Sequence, residues 1–207
     1  NRCFSITIVP LAPAVFPKTI TIDYGTGCLG RDGRFRKGKI ITVHSKPLVQ
    51  PGAQAITTFD GYYIDSVKVE GRHVTRNNST SAVLIFTRLV QNGELTKPNW
   101  NFIVWNAEHT QTQVAGLGTP RFPKDDAWTT TGGARGENKF GNRSVNWTRT
   151  IINPLHKAAA CRWIDKGLVK ITRNEKSAVL DFGDGTCDNK ATITVNGITK
   201  DINPINQ

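Results

Sequence analysis

What this chain lacks narrows its class first. No apolar run approaches the ~20 residues that a membrane-spanning helix needs, and the most apolar N-terminal stretch, Ile6 to Val15, is interrupted by Pro10 and Pro13. Methionine is absent and residue 1 is Asn, so a processed chain is expected, with any signal or lipidation segment removed upstream. Neither a Cys-x-x-Cys pair nor a cysteine and histidine at zinc spacing occurs, which directs the four cysteines to disulfides rather than metal. Disulfides imply an oxidising compartment: periplasm, cell surface or medium. His-Glu-x-x-His and Gly-x-Ser-x-Gly are missing, His44, His73, His109 and His156 are scattered, and Asp125-Asp126 lies in a loop without an obvious partner. No enzyme activity and no cofactor are expected.

What is present is positive charge, glycine and tryptophan. Lys and Arg exceed Asp and Glu by 27 to 16, a net charge of +11. The cations are spread, with one local cluster of Arg31, Arg34, Arg36, Lys37 and Lys39 on a turn expected to face solvent. No helix-turn-helix, RNP or zinc-finger pattern accompanies them, which disfavours nucleic acid and leaves an anionic polysaccharide as the better partner for such a patch. Trp100, Trp105, Trp128, Trp147 and Trp163 fit core packing first. Outward rings among Trp100, Trp105 and Trp128 would suit the face of a sugar.

One motif occurs twice. The chain reads Ile22-Asp23-Tyr24-Gly25-Thr26-Gly27-Cys28 near its start and Leu180-Asp181-Phe182-Gly183-Asp184-Gly185-Thr186-Cys187 near its end, and a β-branched run follows each. An alternating run closed by Asp, an aromatic residue and glycines is a strand entering a tight turn. Cys3 precedes Cys28, and Cys161 precedes Cys187, at nearly equal spacing. Equal pairing, Cys3–Cys28 with Cys161–Cys187, is therefore predicted. Cys3–Cys161 with Cys28–Cys187, or Cys3–Cys187 with Cys28–Cys161, would also respect the repeat.

Short alternating runs at intervals of about ten residues predict an antiparallel β-sandwich or barrel. Asn196-Gly197 is a type I′ hairpin signal, Asn92-Gly93 reads as another turn, and Cys161 to Ile164 as a short strand. Leu155 to Ala160 is the only helix candidate. The chain reads as a single β-rich domain over 1-207, or as two subdomains, 1-109 and 110-207. Asp181, Asp184 and Asp188 form an acidic cluster that could hold Ca²⁺, but the spacing is not that of an EF-hand and Asp-Gly also simply makes turns. Asn77, Asn78, Asn142 and Asn146 each begin an Asn-x-Ser/Thr triplet.

Phe16 to Gly25, Gly38-Lys39-Ile40-Ile41, Ala160 to Ile164 and Asp181 to Thr192 together resemble a family of uncharacterised exported proteins and lipoproteins of Bacteroidetes. The resemblance implies export, a β-rich fold and a precursor that can be anchored at the outer membrane; it brings no activity to carry over. Asp65-Ser66-Val67 resembles the short O-glycosylation motif of such proteins, with Ser66 as acceptor. Asp181 to Gly185 also resembles the PKD-domain signature, whose preceding Trp and later Pro-Thr-His-Thr-Tyr are missing here, so only the turn chemistry is shared.

The function expected is that of a non-enzymatic extracellular or cell-surface structural or adhesive protein, with a carbohydrate-binding module for anionic polysaccharide as the alternative. The segment Phe4 to Val15 is expected to be an ordinary first strand or, alternatively, to complete a neighbour's sheet by strand addition, giving a homo-oligomer or filament.

Overall fold

The computed structural model describes residues 3–119 and 121–204. The chain is an antiparallel all-β fold of the sandwich-like class, and a 3-10 turn at Pro123–Asp125 is the only helical element among the described residues. One compact unit holds the chain up to Asn77 with Arg88–Asn106 and Gly136–Ser144; the other holds Asn78–Thr87, Ala107–Arg135 and the chain from Val145 on. The first carries β1 (Ser5–Val9), β2 (Lys18–Asp23), β3 (Cys28–Leu29), β4 (Phe35–His44), β5 (Gln54–Ile64) and β6 (Val67–Asn77). Four long strands, β7 (Ile85–Thr96), β8 (Phe102–Ala115), β9 (Ala127–Phe140) and β10 (Arg143–Ala158), give residues to both units. The second unit carries β11 (Lys166–Arg173), β12 (Lys176–Asp184), β13 (Ala191–Val195) and β14 (Ile198–Ile202). Each strand pairs with the next in sequence from β1 to β14, except that the two-residue β3 is an added partner of β4.

Turn chemistry sets the strand ends. Asn196 and Gly197 have φ of 50° and 79°, as the type I′ reading requires, and Val195 faces Ile198 across them. Asp65-Ser66 and Asn174-Glu175 also place both turn residues at positive φ, between β5 and β6 and between β11 and β12. Three expectations are corrected. Leu155 to Ala160 is not helical: its first four residues lie in β10, where His156 pairs with Lys166. Asn92-Gly93 lies inside β7, and the hairpin to β8 turns instead at residues 97–101. Cys161 to Ile164 is a bend between β10 and β11.

The duplication seen in sequence is a duplication of register. Ile6 faces Ile22, Ile22 faces Ile40 and Ile40 faces Phe59 across β1, β2, β4 and β5; Val169, Leu180, Ile193 and Lys200 form the matching row across β11, β12, β13 and β14. In the adjacent rows Ser5, Asp23, Lys39 and Asp60 match Leu168, Asp181, Thr192 and Asp201. Aspartate thus recurs at two of the four positions. In the second unit Val169, Leu180, Phe182 and Ala191 form the buried cluster, with Ile151, Leu155, Ile164, Ile171 and Ile202 packed on it. In the first, Tyr24 stands where Phe182 stands in the repeat and lies between the rings of Phe4 and Tyr62, at 5.5 and 5.8 Å.

Candidate functional site

The two copies of the motif end in the same turn. The Asp23 carboxylate accepts the N–H of Gly25 at 2.7 Å, and that of Asp181 accepts the N–H of Gly183 at 2.9 Å. Such a side chain-to-backbone bond two residues on closes the turn without needing a ladder partner. Each turn leads into a disulfide, Cys3–Cys28 in one unit and Cys161–Cys187 in the other, which is the equal pairing predicted. Both staples span similar chain lengths, 25 and 26 residues.

Around the cysteines the copies diverge in charge. After Cys28, β3 and β4 form a hairpin carrying Arg31, Arg34, Arg36, Lys37 and Lys39, and the structure brings all five onto this one element. Arg31, Arg34 and Lys37 are exposed, whereas Arg36 and Lys39 are partly covered. Carboxylates from three directions offset much of the charge. Arg36 grips Asp32 with its two terminal guanidinium nitrogens at 2.9 and 2.7 Å, Arg34 reaches Asp65 at 3.6 Å, and Lys39 reaches Asp23 at 3.6 Å. The Arg36 hydrogen bonds hold the Asp32 carboxyl far below the usual carboxylate range. Lys37 places its ammonium 4.2 Å from the centre of the Tyr63 ring, a cation–π contact, leaving Arg31 as an exposed cation on the turn. Ser66 is exposed in the neighbouring β5–β6 turn, open to modification.

Around Cys187 the second copy is acidic. Asp181, Asp184 and Asp188 line one open groove of about 840 Å³, with Lys190 and with Asp201 from β14. The carboxylates are occupied locally: Asp181 by Gly183, Asp184 by the N–H and hydroxyl of Thr186, and Asp188 by the N–H of Lys190. The Thr186 bonds lower the Asp184 pKa. Among the described residues no group of His, Cys, Asp and Glu is arranged to hold a metal ion. Asp201 was not found from sequence, although the two-residue Asn196-Gly197 loop fixes it opposite Thr192 by counting.

The tryptophans separate. Trp100, 81% exposed at φ 60°, sits in the β7–β8 turn of the first unit and not on a strand. Trp105 is partly buried on β8 of the same unit, beside Gly93. Trp128 belongs to the second unit, where its ring lies 6.5 Å from that of Phe86. Asn77 is 1% exposed and donates to the Leu48 carbonyl, which closes it to glycosylation in the folded chain.

Sequence reasoning also missed the pair His156 and Asp165, with Nδ1 2.6 Å from the carboxylate. The two come together because β10 and β11 meet there in antiparallel register. Compared with protein-family models, with curated proteins and with solved structures, the chain gives no significant match.

Proposed function

We propose that this protein is an exported structural or adhesive subunit that works at the cell surface or outside the cell, without chemistry of its own. The observation that carries this reading is the repeated four-stranded register, stapled by a disulfide in each unit and set in a sheet whose end strands β1 and β14 have one strand neighbour each among the described residues. Two disulfides suit an oxidising compartment. A disulfide-stapled sheet with open ends suits a load-bearing or associating part, and the resemblance to exported Bacteroidetes proteins points the same way. Beads coated with the protein test this: clustering of coated beads, or their retention on cells or polysaccharide, supports adhesion, and indifference to all three overturns it.

A second reading, binding of anionic polysaccharide, is favoured by Trp100. Its exposed ring stands between Asn99 and Asn101, and Lys139 lies 5.6 Å from the Phe102 ring in the same unit. An aromatic face with amide and ammonium donors is the chemistry that stacks on and hydrogen-bonds an acidic sugar. Retention on an anionic polysaccharide gel that Trp100→Ala abolishes would support it.

A further inference from the structure

β1 differs from an ordinary edge strand. All five of its residues, Ser5-Ile6-Thr7-Ile8-Val9, are exposed, none is charged, none is proline, and the register with β2 is unbroken from Ser5 to Val9. Edge strands are usually blunted by charge, proline or a bulge, because a row of free N–H and C=O groups otherwise invites another strand. None of these devices is present within β1. Cys3, bonded to Cys28, holds the start of β1 in its own unit. The strand is therefore presented in place rather than donated to a neighbour.

The internal repeat shows what such a position accepts. By register, β1 corresponds to β11, and Ile6 to Val169. β11 is paired on its other side with β10, antiparallel, with Ile151 opposite Val169. An antiparallel strand, with an isoleucine at the matching position, already fills the equivalent place within the same chain.

We infer that two copies of this chain associate through β1, the strands running antiparallel about a two-fold axis at Thr7. In that register Ile6 faces the partner's Ile8 and Thr7 faces the partner's Thr7, so nothing charged meets. The opposite edge is less suited to pairing with itself: β14 carries Lys200 and Asp201, and a two-fold axis at its centre sets Lys200 against Lys200. Charge favours β1 for a second reason. Each chain carries +11, so two copies repel, and an uncharged edge is where they can approach. The ammonium of Lys18, near the end of β1, is held by the carbonyls of Pro10, at 2.8 Å, and Ala12.

This inference deepens the structural reading by naming the partner. Five residues a side make a small interface, so the expected dissociation constant lies between about 1 µM and 1 mM. Sedimentation of the full chain up to about 1 mM should show a species of twice the 22.8 kDa chain mass. Ile6→Lys with Ile8→Lys puts like charges opposite each other and should weaken association at least about tenfold. Ile6→Lys with Ile8→Glu puts opposite charges across the axis and should recover most of the loss. Lys200→Glu should leave association unchanged, and near-ultraviolet circular dichroism of the Phe4–Tyr24–Tyr62 rings checks that each variant is folded. Should the double variants fail to fold, Thr7→Lys places like charges at the axis with both isoleucines intact and should weaken association similarly. A chain that stays monomeric throughout, a dimer indifferent to these charges, or equal weakening in both double variants overturns the inference. Monomers whose coated beads still cluster would remove the β1 contact alone; dimers whose beads adhere to nothing would remove the adhesive reading alone.

Discussion

Asp165 and His156 are joined twice, by the 2.6 Å contact between carboxylate and Nδ1 and by the Asp165 N–H donating to the His156 carbonyl at 3.2 Å. The Asp165 carbonyl in turn accepts the N–H of Gly185, so this one residue, whose side chain is 3% exposed, ties the end of β10 through its carboxylate and the turn before Cys187 through its backbone. Removing the carboxylate leaves the imidazole without this partner where β10 meets β11. Asp165→Ala should therefore lower unfolding free energy by about 1–3 kcal/mol. Asp165→Asn, which keeps an acceptor oxygen, should cost less. Urea denaturation with both disulfides intact measures both, and an alanine variant as stable as the parent would show the contact to be idle.

Acid should destabilise the fold in two steps. Burial holds His73 and His109 below the ordinary imidazole pKa, with Arg88 and Arg149 adding to it. Below about pH 6.5 the unfolded chain takes up protons on these side chains before the folded chain does, so stability falls as pH drops toward the lowered folded values. His73→Gln with His109→Gln should flatten that part of the profile. Below about pH 4 a second loss follows as the depressed carboxyls of Asp32 and Asp184 are forced to protonate, since their stabilisation is present only above that range. Urea midpoints recorded from pH 8 to 3 would reveal both steps, and a flat profile from pH 7 to 5 would remove the histidine account.

Gly38 breaks the β4–β5 register between Lys37 and Lys39 at φ 78°, and its N–H and C=O pair with Gly25 and Tyr24 of the duplicated turn. A Cβ there would collide with the carbonyl of Gly61, which is backbone and cannot swing away. Gly38→Ala should cost about 2–4 kcal/mol, combining the strain of a positive φ with the collision. Gly33→Ala, at φ 72° with open space around it, should cost only the conformational part, about 1 kcal/mol. Equal losses at the two positions would refute the role given to the Gly61 contact.

The strands were readable because alternation and glycine punctuation are local. The Asn196-Gly197 turn even sets which residues of β13 and β14 face each other. Leu155 to Ala160 misled because leucine, lysine and alanine favour helix in isolation, whereas here pairing with β11 and the Asp165–His156 contact hold the backbone extended. Asn92-Gly93 misled for the opposite reason: Asn92 adopts positive φ within a strand, with its N–H bonded to the Asn106 side chain. The basic turn after Cys28 was legible as a cluster, but its partial neutralisation was not. Asp65 comes from the β5–β6 turn and Asp23 from β2, and only the register of β2, β4 and β5 brings them to Arg34 and Lys39. Asp201 was readable opposite Thr192 from the turn, but only the register of β12 with β13 brings that pair to Asp181.

Trp100 and Trp105 offer the sharpest separation of packing from recognition, because they belong to one unit and one hairpin yet differ in setting. Trp105 covers Gly93 on the neighbouring strand, where an added Cβ would lie 2.8 Å from its ring, so Trp105→Ala opens space in a packed sheet and should cost about 2–4 kcal/mol. Trp100 protrudes into solvent from a turn residue at φ 60°, a conformation that glycine adopts without penalty. Trp100→Gly should therefore leave stability within about 1 kcal/mol of the parent, the relief of strain offsetting the greater freedom of the unfolded chain. If the exposed ring meets a sugar, the same substitution should abolish retention on an anionic polysaccharide gel, and Trp105→Ala should reduce retention only as far as it unfolds the protein. Retention unchanged in a folded Trp100→Gly variant would leave the ring without a role in binding. A large loss of stability in that variant would mean that Trp100 is packed after all.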